Sequence, residues 1–312
     1  MKNIKFNIAF FFLVFVLNQA ATAQQEAMYT HFMFNTLEIN PAYAGSRGCM
    51  SFVGLNRLQW AGFDGAPITQ TISMNTPVYR DNFAMGLSYN GDKIGPIKSN
   101  VFNVMGTYMM KLNENTKLSF GLNGGFHSIL STIDQLSLTS AADEAFLNSN
   151  KSRLTPNFGF GTYCYSQKWY AGISSPRIIE NTYYVKGNRE DKILKTKRHY
   201  YMIVGGIFNV NDQIQLRPSA LAKSVPGAPV QLDLSLQAIY NDLFWVGAMT
   251  RSGDAVGAML GFNINSNLQL GYSYDFSYAW SRYSSRAGSH EVVLRYDVNY
   301  GNEPRVKSPR YF

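Results

Sequence analysis

Along most of the chain, apolar and polar residues alternate one for one. In "QLDLSLQAIY" (231–240), Leu232, Leu234, Leu236, Ala238 and Tyr240 share one parity, while Gln231, Asp233, Ser235 and Gln237 take the other. Successive side chains of a strand point to opposite faces, so this segment is greasy on one side and wet on the other. The same period recurs in Phe83–Tyr89, Leu118–His127, Val256–Phe262 and Leu268–Phe276. Weaker versions lie near 50–60, 69–78, 101–111, 157–165, 169–174, 199–210, 214–222, 243–250 and 290–298, giving about fourteen strands by periodicity. No helix of useful length is predicted after residue 48. Two architectures bury such strands: a soluble sandwich with the apolar side inward, or a membrane barrel with it outward.

The connections separate the two. Short turn-rich links at 79–81, 113–116, 166–168, 211–213, 241–242 and 265–267 alternate with longer ones at 91–99, 131–153, 175–198 and 277–289. Outer-membrane barrels show this asymmetry, with short periplasmic turns and long outside loops. A Greek-key sandwich has no reason to keep it, although 251–253 is a short link in a long-link place. Mid-strand Gln, Asp, Ser and Gly suit a hydrated or plugged lumen. Tyr89, Trp60 and Tyr240 end apolar runs, where an interfacial girdle favours amphipathic rings. A tilted membrane strand needs about 9–11 residues, and residues 49–298 supply about fourteen of these in one domain. The reading is all-β: a transmembrane antiparallel β-barrel whose closure leaves no unpaired edge in hydrocarbon.

The ends fit that compartment. Residues 1–23 carry Lys2 and Lys5, an apolar run from Ile8 to Leu17, and Ala21-Thr22-Ala23, the three parts of a secretory signal peptide. The mature chain is expected to start near Gln24. No cysteine follows Ala23 to accept a lipid. Charged residues make up 15% of the chain against about 25% in ordinary soluble domains, which favours a lipid-exposed exterior. The formal charge is +8, or +6 once Lys2 and Lys5 leave with the leader. That balance is compatible with anionic lipid headgroups and does not single out nucleic acid. Cys49 and Cys164 are too few for a disulfide scaffold and read as small space-fillers. In 24–48, Met28, Phe32, Met33 and Leu37 are spaced for one short amphipathic helix stopped at Asn40-Pro41. This segment either inserts as a plug, rests on the periplasmic rim, or is a leader without fixed structure. Residues 299–312 form a basic periplasmic tail.

Candidate chemistry is sparse. His31, His127, His199 and His290 are too scattered for a metal site. His127 and Ser128, adjacent on a strand, face opposite ways and cannot pair as base and nucleophile. "GLNGG" (121–125) has no phosphate-loop lysine and reads as close packing or a bulge. Arg57, Arg217, Asp233, Asp275 and Arg295 lie in or at the edges of strands, where they either pair across the interior or are hydrated at strand ends. No catalytic, cofactor-binding or metal-ligating residues are expected.

"YTHFMFNTLEINPAYAG" (29–45), "NRLQWAGFDGAPITQT" (56–71), "GSHEVVLRYDV" (288–298) and "SPRYF" (308–312) resemble the PorP/SprF family in content, order and spacing. The matching positions include Asn40, Pro41, Ala42, Gly45, Gln59, Gly65, Ala66, Pro67, His290 and Glu291. The resemblance implies an outer-membrane barrel of the type IX secretion system. Such a protein supports export of a large partner, adhesin- or gliding-type, through that partner's C-terminal sorting domain (type B) and holds it at the surface. Other secretion components and outer-membrane lipid would be its remaining neighbours. Trp60, Phe63 and Asp64, in what reads as an outside loop, are the candidate partner contacts; the bland alternative is a tight loop with girdle aromatics. The competing function is an outer-membrane channel or hydrophobic-solute transporter.

Overall fold

The computed structural model describes residues 27–79, 82–131, 153–186, 190–279 and 288–298. The expected leader, the basic tail and most of the connections 131–153 and 277–289 lie outside the described residues. Among the described residues the strands are β1 (Met50–Leu58), β2 (Ile68–Tyr79), β3 (Phe83–Ile94), β4 (Ile97–Lys111), β5 (Thr116–Ser131) and β6 (Arg153–Ser166). There follow β7 (Trp169–Arg177), β8 (Thr182–Lys186), β9 (Glu190–Lys195), β10 (His199–Gly206), β11 (Phe208–Asn209) and β12 (Ile214–Ser224). The chain ends with β13 (Gln231–Tyr240), β14 (Phe244–Arg251), β15 (Ala255–Asn263), β16 (Leu268–Ser277) and β17 (Gly288–Val298).

Fourteen of these close into one antiparallel barrel. Neighbours in sequence are neighbours in the sheet, and β1 pairs β17 from Met50↔Val298 to Leu58↔His290 to complete the ring. β8 and β9 form a separate hairpin in the β7–β10 connection, and β11 is a two-residue addition along β12.

Side-chain parity places the greasy face outside. Along β13 the odd-numbered residues are buried, while Leu232, Leu234 and Leu236 are 41%, 43% and 51% exposed. Met85, Leu87, Phe120, Leu122, Leu260 and Phe262 are likewise exposed, and Ser88, Ser119, Asn123 and Ser273 are buried. A soluble protein does not leave so continuous an apolar belt in water; hydrocarbon solvates it, and the closed ladder satisfies the backbone there. Asn56 does fall on the outward parity with Phe52 and Leu58, where it accepts a bond from Gln70 Nε2 at 3.2 Å. Cys49 and Cys164 are free thiols.

The apolar core sits in the lumen. Phe32, Met33, Phe34, Leu37, Ile39 and Tyr43 of the N-terminal segment pack against wall residues such as Met105, Met109, Tyr163, Tyr170 and Trp245. Of the alternatives open for this segment, the plug is what the structure shows.

Three expectations need correction. The predicted helix over Met28–Leu37 is confined to Thr36–Ile39, although it does stop at Asn40, followed by a 3₁₀ turn at Pro41–Tyr43. The N–H groups of Thr30 and His31 bond to a wall carboxylate instead of initiating a helix. The connection expected over 91–99 is only Gly95-Pro96, because β3 and β4 continue to the pair Ile94↔Ile97. Its polar run "NGDK" reads as a turn, yet a strand rising above the apolar belt tolerates polar residues. Finally, the connection 175–198 contains strand structure of its own, β8 and β9.

A charge on the outward face tests the orientation. Leu234→Arg, near mid-strand, is expected to lower stability by about 2–4 kcal/mol, while Leu234→Phe leaves it unchanged. Denaturant titration in lipid vesicles measures both; an L234R barrel as stable as the parent contradicts a lipid-facing belt.

Candidate functional site

A polar wall buried behind the N-terminal segment must find its partners inside the barrel. Glu291 on β17 and Asp275 on β16 point into the lumen with at most 1% exposure, opposite Arg57 of β1 at 2%. Arg57 Nη1 lies 2.7 Å from Asp275 and 3.2 Å from Glu291, so one guanidinium serves two carboxylates. The N-terminal segment supplies the remaining donors. The N–H groups of Thr30 and His31 donate to Glu291 at 3.0 and 2.7 Å, and His31 Nδ1 approaches the same carboxylate at 2.8 Å. Thr30 Oγ1 donates to Asp275 at 2.5–2.6 Å. Unpaired buried charge is costly; the latch exists because segment and wall are each incomplete alone.

Further ties follow down the segment. Arg251 of β14 pairs with Asp233 at 3.1 Å and donates to the Tyr29 carbonyl at 3.1 Å. Phe34 stacks on Trp245 at 5.4 Å, with the Arg295 and Arg217 guanidiniums 4.6 and 5.2 Å from its ring centre. This cation–π arrangement places guanidinium groups where the interior is dry. At the base Arg47 grips Asp297 with two nitrogens, the closer at 2.5 Å. Burial by itself disfavours the charged Arg47 guanidinium, but the Asp297 carboxylate beside it outweighs that and raises its pKa.

Between these ends Asn40-Pro41-Ala42 is stitched to the wall. Ser174, Thr107 and Ser119 hydroxyls donate to the carbonyls of Ile39, Pro41 and Ala42 at 2.7–2.8 Å. Asn40 Oδ1 accepts from Ala42 N, and its Nδ2 donates to the Thr162 carbonyl, both at 2.9 Å. The fit depends on missing side chains. A Cβ at Gly161 would stand 2.1 Å from Asn40 Oδ1, and one at Gly121 2.3 Å from Ala42 N. The glycines of "GLNGG" therefore begin with close packing, as the strand pattern suggests. Gly45, at φ +76, donates its N–H to Asn75 Oδ1.

Thus residues 29–47 run the height of the barrel, from the β14–β17 ends near Arg251 and Glu291 to the β1 entry. Above them, at the end carrying the long connections, a cavity of about 300 Å³ remains, lined by Tyr29, Phe32, Glu38, Asp92, His127 and Lys223 among others. Loop 59–67 lies at the same end. It is pinned by Ala61 N to the Gly288 carbonyl (2.8 Å), Trp60 N to Ser289 Oγ (3.2 Å), Gln59 N to the Pro67 carbonyl (3.0 Å) and Gly95 N to the Gly65 carbonyl (2.9 Å). Internally, Phe63 N bonds to Trp60 O and Ala66 N to Phe63 O. Trp60 holds φ 51, unusual for so bulky a residue. Phe63 is 45% exposed, Asp64 is exposed and Trp60 is half-buried.

The residues singled out in the sequence therefore divide. Trp60, Phe63 and Asp64 share one turn with Gln59, Gly65, Ala66 and Pro67. Asn40, Pro41, Ala42 and Gly45 lie in the lumen. His290 faces outward, 2.7 Å from the Tyr272 hydroxyl, while its neighbour Glu291 faces in. The sequence reading did not foresee that Arg57, Thr30 and His31 converge on the carboxylates of Asp275 and Glu291; charges on the lumen parity were the available signal.

Two consequences can be measured. Glu291→Ala leaves Arg57 with Asp275 alone and takes the acceptor from the Thr30 and His31 N–H groups and from His31 Nδ1; removing one member of a buried charge pair costs about 3–5 kcal/mol, and a heat-modifiable gel shift at lowered temperature reports it. Gly121→Val with Gly161→Val forces the Asn40–Ala42 stretch off the wall, and planar-bilayer recordings should show ion current absent from the parent. Unchanged, silent bilayers mean that the stretch does not close the lumen.

No curated protein matches the chain. Solved structures similar in fold include the outer-membrane protein Omp33 of Acinetobacter baumannii, at 8% identity and TM-score 0.46, over 80% of this chain and 98% of that one. A FadL homologue of Pseudomonas aeruginosa shares 13% identity at TM-score 0.46, over 85% and 94%. The CymD monoaromatic hydrocarbon channel shares 10% at 0.47, over 86% and 93%. Likeness at this level leaves those proteins' ligands with those proteins. The family model of the type IX secretion system membrane protein PorP/SprF matches residues 21–296, nearly the whole barrel and its luminal segment. The chain belongs to the PorP/SprF family of type IX secretion outer-membrane β-barrels, a membrane component of a secretion machine and not an enzyme family.

Proposed function

We propose that this barrel receives a large secreted surface protein through its C-terminal sorting domain, supports its export and holds it at the outer face. The partner is of the adhesin type, as used in gliding. The observation that carries the reading is the filled lumen: residues 29–47 are tied to the wall from latch to base, leaving the mouth as the surface open for work. A passive channel would need that segment displaced against three ion-paired or hydrogen-bonded anchor points. The mouth offers a rigid turn with an exposed Phe63 and a carboxylate at Asp64 beside half-buried Trp60. An aromatic anchor on fixed backbone loses little entropy on binding. The task is recognition, with no bond made or broken. Export of the barrel itself uses the leader, cut near Ala23.

The test is recovery of the partner from detergent extract on a tagged barrel, identified by mass. Each anchor of this kind contributes about 2 kcal/mol or more, so Trp60→Ala, Phe63→Ala and Asp64→Ala together should reduce recovery more than about ten-fold while heat-modifiable mobility stays normal. Undiminished recovery with a folded triple variant removes the loop from the interface. Recovery of no large surface protein from cells that make one, with solute uptake in vesicles, supports the channel instead.

A further inference from the structure

The outward face of β3 and β4 near the mouth changes chemistry in steps. Lys93 on β3 stands directly opposite Lys98 on β4, both on the outward parity and both exposed. Like charges facing each other on one side of an antiparallel pair oppose folding unless something lies between them. Neither lysine has an ion pair among the described residues. The carboxylate of Asp92 turns inward to Thr69 Oγ1, and the exposed Asp64 reaches neither ammonium. One row lower the register aligns Asn56, Gln70, Gly91 and Asn100 across the four strands. Gln70 bonds to the Asn56 oxygen at 3.2 Å and the Tyr89 hydroxyl to the Asn100 oxygen at 2.8 Å. With both oxygens engaged, the Asn56 and Asn100 NH₂ groups are left as donors. The next row down is Gly54, Ile72, Tyr89 and Phe102, of which the last three are exposed.

Rows on one face are about 7 Å apart. On β3 and β4 the surface thus passes within two rows from paired ammonium groups past the Asn100 amide to bare hydrocarbon, while β1 and β2 flank the lysines with the exposed Leu58 and Ile68. A phosphorylated lipid presents its phosphate, its polar backbone and its acyl chain in that order.

We propose that Lys93 and Lys98 bind the phosphate of an outer-leaflet lipid, with Asn56, Gln70 and Asn100 facing its polar backbone and Ile72 and Phe102 its chain. A phosphate between the ammonium groups neutralises the clash that the register creates and fixes the barrel's depth on this side. The site faces the membrane, not the mouth, and is independent of partner docking.

Native mass spectrometry of the full detergent-solubilised barrel tests it, using phosphorylated lipid A, the same lipid dephosphorylated, and inorganic phosphate as a competitor. A lysine near a charged lipid surface contributes about a factor of five in affinity, so Lys93→Ala with Lys98→Ala should lower bound lipid roughly ten- to thirty-fold. Lys93→Arg with Lys98→Arg should restore it, and dephosphorylated lipid should bind the parent as weakly as phosphorylated lipid binds the alanine variant. Equal binding by parent and alanine variant overturns the site. So does displacement by inorganic phosphate alone, which would make it a free-anion site. Normal heat-modifiable mobility in each variant shows that the barrel has folded.

Discussion

The structure depends on satisfying charge inside a dry cylinder. Strands that turn hydrocarbon outward must turn their polar residues inward, and beneath the luminal segment Arg57, Asp275 and Glu291 are at most 2% exposed. Two carboxylates against one guanidinium leave acceptors over. Thr30 and His31 supply donors that no wall residue is shown to provide, and with them the segment 29–47 becomes part of the barrel. Apolar packing then reinforces the arrangement: Phe32, Phe34 and Tyr43 fill space that polar strands cannot fill themselves.

The same inversion shapes the wall. Side chains are absent where the segment comes closest, at Gly121 and Gly161, and hydroxyls stand where its carbonyls need donors, at Thr107, Ser119 and Ser174. Small residues on inward parity therefore serve a packing purpose distinct from strand formation, for which they are poor. The segment in turn gives up regular helix, because its polar backbone is satisfied sideways by the wall.

Much of the fold was legible because period two is a strong signal over ten-residue strands and because the long links fall at one end of the barrel, though that end also has the short links Gly95-Pro96 and 252–254. Parity alone could not say which face was outward; link lengths and mid-strand polar residues decided it. The failures are instructive. "NGDK" looks like a turn, since amphipathic patterning ends where the membrane does while the hydrogen-bond ladder continues to Ile94 and Ile97. The luminal segment reads as helix from the spacing of Met28, Phe32, Met33 and Leu37, but spacing is blind to wall carboxylates hundreds of positions away. The His31–Glu291 contact joins residues 260 apart in sequence, a separation no local pattern can bridge.

The latch also stands at the seam. Arg57 is directly opposite Glu291 where the first strand meets the last, and Asp297, gripped by Arg47, lies on that same final strand. Zipping the terminal strands together without the N-terminal peptide in place would leave two acids facing a single base, with the peptide's donors missing. The seam of the ring and the seat of the peptide thus draw on the same charges, so that weakening one weakens the other.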